Sequence, residues 1–183
     1  MGPVESVFFT IGILVTLIGL ARGYDKELGN TVIILVAIFI LTFFEAQLTR
    51  GLIGVVNRLA GVSAEDEMAR NLVLSGIFTV TFAAIIFASY SGRTLNMGAR
   101  PSKPNMGKLY TLLIALLNGY LIGGTVWYYQ DKFNYPLQQL GWVVLPLTKT
   151  AETLVGFLPQ TLFPSAIFWM VPVAILLLIR VRG

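Results

Sequence analysis

The chain has 183 residues, of which 56% are hydrophobic and only 12% charged, with a mean hydropathy of +0.78; a soluble domain carries charge on about a quarter of its residues, so the class is a polytopic membrane protein. Cysteine and histidine are both absent, which excludes disulfides, thiolate or imidazole metal and haem sites, thiol nucleophiles, a Ser-His-Asp triad and a histidine proton relay. The net charge of +4 and pI near 9.5 read as basic residues held at the cytoplasmic face and against anionic headgroups, with no nucleic-acid partner.

Taken in order, the chain predicts an all-α integral membrane protein of about five transmembrane helices with one or two interfacial amphipathic helices, folded as a single domain over 1–183. The opening residues before Ser6 carry no basic side chain and no small-residue cleavage site follows Leu20, so 4–21 is expected to stay as a first span and not to be removed as a signal peptide. The charged break Arg22-Gly23-Tyr24-Asp25-Lys26-Glu27 is too short to do more than turn the chain into a second span, 28–46, each arm being long enough for a hydrocarbon core of ~30 Å. Over 47–61, Leu48, Leu52, Val55, Val56 and Leu59 recur at helical spacing while Arg50, Asn57 and Arg58 lie on other faces, the pattern of a helix lying in the interface.

Ser63 is the expected N-cap of the third helix, with Glu65, Asp66 and Glu67 in its first turn where carboxylates complement the helix dipole. The third span, 71–90, carries Ser75, Gly76, Ala83, Ala84, Ala88 and Ser89, small enough for a neighbouring helix to approach closely. The fourth, 109–129, repeats that device with Gly119 and Gly123 in a GxxxG pattern and holds Asn118 near its centre. From 137 to 158 the chain is mixed. Its apolar stretch Leu140-Gly141-Trp142-Val143-Val144-Leu145 is too short to cross and is followed by Pro146, which predicts a surface-lying or re-entrant segment, with Tyr128, Tyr129, Tyr135 and Trp142 as an aromatic belt at headgroup level. The fifth span, 162–179, is expected to take Pro164 in its first turn and to kink at Pro172. No internal repeat supports the inverted repeats of secondary transporters.

The hairpin residues Gly19-Leu20-Ala21-Arg22-Gly23-Tyr24-Asp25-Lys26-Glu27-Leu28 resemble the colicin V production protein family, small bacterial inner-membrane proteins. In that family a similar glycine, an Arg-Gly-aromatic turn and a following Glu-Leu join the first two helices. A second echo is Met106-Gly107-Lys108 leading into Leu117-Asn118-Gly119-Tyr120-Leu121, where the family tends to have an Arg-Gly pair and this chain has Asn118. The resemblance covers roughly residues 1–130. It implies a bacterial inner-membrane location and an association with export, envelope physiology and biofilm phenotypes, without a defined reaction.

Candidate site residues follow from position. Asn118 should face another helix and hydrogen-bond across to it, with a ligand-facing role as the alternative. Gly119, Gly123, Ala84 and Ala88 read as packing surfaces. Glu45 is placed to reach headgroups or pair with Arg50. Arg22, Gly23, Tyr24, Asp25, Lys26 and Glu27 form a solvated turn at the membrane surface, and Trp142 is an interfacial anchor. No span has an ionisable residue near its centre, which weighs against an ion-coupled transporter and against a membrane enzyme of the carboxylate or metal type.

The function expected is therefore a non-enzymatic accessory or scaffold subunit of a larger bacterial membrane complex, photosynthetic or respiratory, docked against other subunits or its own copies. It would order membrane lipids, quinone, carotenoid or a bacteriochlorophyll-type pigment; lacking histidine, such a pigment would take Asn118, a carbonyl, a glutamine or a water as axial ligand. The alternative is a small transporter or channel of the colicin V production type.

Lysine and arginine set the orientation. Eight lie on the side of Arg22, Lys26, Arg93, Arg100, Lys103, Lys108, Arg180 and Arg182, and five on the side of Arg50, Arg58, Arg70, Lys132 and Lys149, which puts the N-terminus outside and the C-terminus in the cytoplasm. A cysteine introduced beside Lys103 should be shielded from impermeant thiol reagents in intact cells, and labelling there reverses the orientation.

Overall fold

The computed structural model describes residues 3–59, 67–92, 95, 97 and 104–182, and among these all regular structure is helical. Helix α1 (Val4–Arg22) ends on Gly23, whose N–H still closes onto the Gly19 carbonyl at 3.0 Å while its φ of 87° turns the chain out of the helix; a side chain would be strained there. Helix α2 (Tyr24–Leu59) starts on the next residue, so one glycine makes the whole connection. Next come α3 (Glu67–Ser91) and α4 (Pro104–Lys132), the latter opened by a proline whose missing N–H costs nothing in a first turn. The chain then breaks into a 3₁₀ turn (Pro136–Gln138), α5 (Lys149–Val155), α6 (Pro159–Leu162) and α7 (Ala166–Arg182). The Thr148 hydroxyl caps α5 by accepting from the Ala151 N–H at 3.0 Å.

Helices α1 to α4 are long and apolar enough to cross a membrane, and α7 is apolar but shorter at 17 residues. Several boundaries differ from the sequence reading. Residues 47–59 do not form a separate interfacial helix; they continue α2, which runs unbroken for 36 residues, about 54 Å. Gly51 and Gly54 weaken a helix interior by only ~1 kcal/mol each and do not break the ladder, so the segment bearing Arg50 extends the rod past the length a bilayer core needs. Residues 60 and 61, Ser63, Glu65 and Asp66 lie outside the described residues; Glu67 opens α3. The fifth apolar helix starts at Ala166, with Leu162 closing α6 and Pro164 preceding α7, while Pro172 lies inside it.

Over 137–158 the chain is mostly exposed, with Val143, Ala151 and Leu158 buried, and its end folds back against α4. Tyr120 donates to the Phe157 carbonyl at 2.6 Å and Gln160 Nε2 to Thr125 Oγ1 at 2.9 Å, while Pro159 packs so closely on Gly124 that a Cβ there has no room. Thr125 and Tyr120 lie about 10 and 18 Å before the end of α4 at a rise of ~1.5 Å per residue, so the chain doubles back along that helix before α7 begins.

Helix α4 is the hub. Half of its span is buried, against 11% for α1, because α1, α2, α3 and α6 all pack on it. Although joined to α2 by a single residue, α1 packs chiefly on α4, antiparallel and along small residues: Gly12 faces Gly119, Gly19 faces Ala115 and Phe8 covers Gly123. A Cβ on Gly119 would sit 2.6 Å from the Gly12 carbonyl oxygen. On α2 the polar pairs Thr31–Asn118 and Glu45–Lys132 are both 87 residues apart, so α2 and α4 run parallel in one register. Antiparallel α3 stacks Phe78 on Tyr129 and Phe133 at 5.0 and 5.9 Å between centroids, and Gln130 Nε2 donates to Ser75 Oγ at 2.7 Å. Trp169 and Val173 of α7 are buried in the same core as α2.

Ala84 and Ala88, expected at a packing seam, are exposed. The buried ridge of α3 is instead Leu74, Phe78, Phe82 and Ile86, one large residue per four, and such a ridge fills a helix groove better than methyl groups do. The aromatic belt is also redistributed. Tyr129 and Tyr135 are buried, and of the four residues Trp142 is the one more than half exposed, because the phenol rings fill space between α3, α4 and the segment after α4.

Gly119→Leu should lower the unfolding midpoint in mild detergent by an amount equivalent to ~1–3 kcal/mol, the usual cost of overpacking. An unchanged midpoint means that α1 and α4 are not in backbone contact.

Candidate functional site: a buried carboxylate shared by four helices

The first turns of α2 carry Glu27, Asn30 and Thr31 at i, i+3 and i+4, one polar stripe on a helix that is otherwise apolar for the next three turns. All three are buried, and Glu27 and Asn30 have no exposed surface. Expectation placed Glu27 in a solvated turn; the structure puts its carboxylate inside the bundle, because Gly19 of α1 and the middle of α4 close over the first turn of α2.

The carboxylate is met from every side. Arg22 Nε lies 3.2 Å from Oε1, and Asn30 Nδ2 donates to the same oxygen at 3.4 Å. Tyr90 Oη and Asn118 Nδ2 donate to Oε2 at 3.1 and 2.9 Å. Arg22 comes from α1, Asn30 from α2, Tyr90 from α3 and Asn118 from α4. The guanidinium reaches further: Nη1 donates to the Tyr90 carbonyl at 2.6 Å, and its carbon stands 4.7 Å from the centre of the Tyr90 ring. That carbonyl belongs to the last turn of α3, where helix geometry leaves it without an intrahelical partner, and the ring face adds a cation–π contact.

Asn118 hydrogen-bonds across helices, as its position predicted. Its amide also donates to the Glu27 carbonyl at 3.1 Å, and its oxygen accepts from Thr31 Oγ1 at 2.8 Å. Both ends of the amide are thus engaged within the bundle. As expected, Asn118 lies at the middle of α4, which stands level there with the first two turns of α2. Tyr24 packs its ring on Tyr110 at 5.9 Å and stays at the rim.

A second clasp closes the far end. Glu45 Oε2 pairs with Lys132 Nζ at 2.6 Å, and that ammonium also sits 5.6 Å from the centre of the Tyr128 ring. Arg50, the partner expected for Glu45, instead donates Nε to the Ala46 carbonyl of its own helix at 3.2 Å; the parallel register of α2 and α4 brings lysine to the carboxylate first. Glu27 and Glu45 are separated by five turns, about 27 Å, close to the hydrocarbon thickness of a bilayer. Beyond α4, Trp127 Nε1 donates to Tyr135 Oη at 3.0 Å and that hydroxyl donates to Asp131 Oδ1 at 2.9 Å. Burial pushes the Tyr135 phenol above its usual range, so it remains a donor.

Beside the first clasp, α1 and α3 stand apart over α4 and leave an open, apolar groove of about 640 Å³ with Arg22 and Tyr90 at one end. Sequence reasoning missed Tyr90 and Lys132 as site residues, and it missed the burial of Glu27. The i, i+3, i+4 spacing of Glu27, Asn30 and Thr31 was the available signal.

Comparison with family models, with curated proteins and with solved structures finds no match for this chain.

Breaking the clasp on one side leaves a buried charge without its partner, so Arg22→Leu should destabilise by ~3–5 kcal/mol, and the double variant Arg22→Leu with Glu27→Leu should recover most of that loss. Asn118→Leu should cost ~1–2 kcal/mol, the scale of an interhelical hydrogen bond in a membrane. Unfolding in detergent reads all three; a double variant no better than the single one would show that the charge pair is not the clasp.

Proposed function

We propose that the protein is a non-enzymatic accessory subunit of a larger bacterial inner-membrane complex, photosynthetic or respiratory, which packs against neighbouring helices and orders lipids or other apolar molecules. The observation that carries this reading is the saturation of Glu27. A carboxylate that couples transport has to exchange its partners and meet water, and intramembrane ionisable groups are otherwise the first candidates for an ion path. Glu27 has no exposed surface and is met by donors from all four long helices, which favours a group built to stay bound. A second carboxylate, Glu45, is held by Lys132.

The outward faces supply what such a subunit offers. Phe9, Ile13 and Leu17 on α1, Leu113 and Leu116 on α4, and Ile167, Val171 and Leu178 on α7 are all exposed, and apolar surface of this kind meets lipid or another subunit. The competing reading, a small transporter or channel of the colicin V production type, draws on the Arg22-Gly23-Tyr24 hairpin and not on a pore.

The deciding experiment is purification from the source membrane in mild detergent, with mass spectrometry and an absorption spectrum of the same native band. The expected result is a band larger than the chain that contains other membrane subunits, with an apolar cofactor identified by its spectrum. A colourless monomer or small homo-oligomer overturns the accessory reading in favour of the transporter or channel.

A further inference from the structure

We infer that the groove between α1 and α3 is a binding site for an acyl chain of an anionic phospholipid whose phosphate lies at the Arg22 end. The inference rests on the lipid-ordering part of the function proposed above and adds the ligand class and the place.

Length is the first argument. The α1 wall runs from Ile11 to Arg22 and the α3 wall from Phe82 to Ser91, about 16 and 13 Å of helix. Half of a ~30 Å hydrocarbon core is one leaflet, so the groove extends from the helix ends at the surface to the middle of the bilayer. That suits a chain entering from one side. A rod-shaped molecule crossing both leaflets would outrun it.

Shape and chemistry agree. Val15 and Ile18 form one wall, Ala83 and Phe87 the other, and Ile122 of α4 the floor. Ala83 makes the recess between the larger rings of Phe82 and Phe87, and nothing along the walls would hydrogen-bond a buried quinone carbonyl until Arg22, Tyr90 and Ser91 at the mouth. There the polarity changes abruptly. Arg22 borders the groove with its guanidinium fixed by the Tyr90 carbonyl, while the compensating carboxylate of Glu27 is wholly buried behind it. Lys26 is exposed in the first turn of α2. A planar guanidinium at the end of an apolar slot matches a phosphate oxygen on an acyl-bearing headgroup.

The test uses the full chain, purified in mild detergent and exchanged into mixed micelles with equal phosphatidylglycerol and phosphatidylcholine, with bound lipid counted by native mass spectrometry. One basic side chain near an anionic surface favours it by about fivefold in affinity, so phosphatidylglycerol should be retained over phosphatidylcholine by about that factor. Ala83→Trp, which fills the recess without touching the Glu27 clasp, should abolish retention of either lipid at this site while helical content and unfolding midpoint hold. Ile18→Trp fills the groove from the opposite wall and replaces it should the first variant fail to fold. The double variant Arg22→Gln with Glu27→Gln, which leaves no unpaired buried charge, should remove the preference for the anionic lipid while the unfolding midpoint stays near that of the parent. Equal retention of the two lipids, retention unchanged by the folded groove-filling variant, or a neutral isoprenoid in place of phospholipid overturns the proposal. Co-migration with other subunits is read separately, so loss of the lipid site and loss of the accessory-subunit reading are distinguishable.

Discussion

A carboxylate one turn inside an apolar helix can leave water only if donors replace the water it loses. Glu27 meets that condition with Arg22, Asn30, Tyr90 and Asn118, and since three of the four lie on other helices, the condition becomes a constraint on the bundle. The end of α1, the end of α3 and the middle of α4 must all reach the first turn of α2 for the charge to be satisfied. Between lipid-facing helices there is little hydrophobic force to choose one arrangement over another, because lipid tails are as apolar as the side chains. The polar clasp supplies the specificity that apolar packing lacks.

The single-residue connection at Gly23 serves the same end. Its positive φ, 87°, starts α2 immediately after Arg22, which holds the guanidinium and the Glu27 carboxylate within five residues of one another on two different helices. The close approach of α1 to α4 follows the same line: Gly12, Gly19 and Gly119 remove the side chains that would keep those backbones apart, and so bring Gly19 against the Glu27 carboxylate. With α1 drawn onto α4 and α3 drawn onto the opposite flank by Phe78 and Ser75, the gap between α1 and α3 is a geometric consequence. The groove and the clasp are two results of one arrangement, with Arg22 belonging to both.

Glu45 and Lys132 repeat the clasp in simpler form at the other edge. Between the two sites rings do much of the packing, Phe78 on Tyr129 and Phe133 with Phe82 and Trp169 buried nearby, alongside the buried polar pairs Gln130–Ser75 and Gln160–Thr125. The long α2 rod projects beyond the second clasp, and the chain after α4 folds back against α4 through Gln160 and Tyr120.

Composition set this chain apart from soluble domains, since 56% of its residues are hydrophobic and 12% charged, and apolar runs of about 20 residues pointed to helices long enough to cross a membrane. Runs of apolar residues located the four long helices to within about five positions at each end, except that α2 runs on to Leu59, well past the end expected at 46, and the GxxxG pattern marked the α4 surface that meets α1. Local pattern could not show that 47–59 would continue α2, because an amphipathic stripe reads the same on a separate helix as on the projecting end of a long one. It could not show that Leu74, Phe78, Phe82 and Ile86 would win the core face of α3 over Ala84 and Ala88, because both stripes are apolar and only the neighbour's shape chooses between them. Above all it could not show that Glu27 is buried. A charged residue beside a turn is solvated or enclosed according to what the rest of the chain brings to it, and the partners here come from positions 63 and 91 residues away. Burial of a polar group is a property of the assembled bundle, and only the tertiary structure decided it.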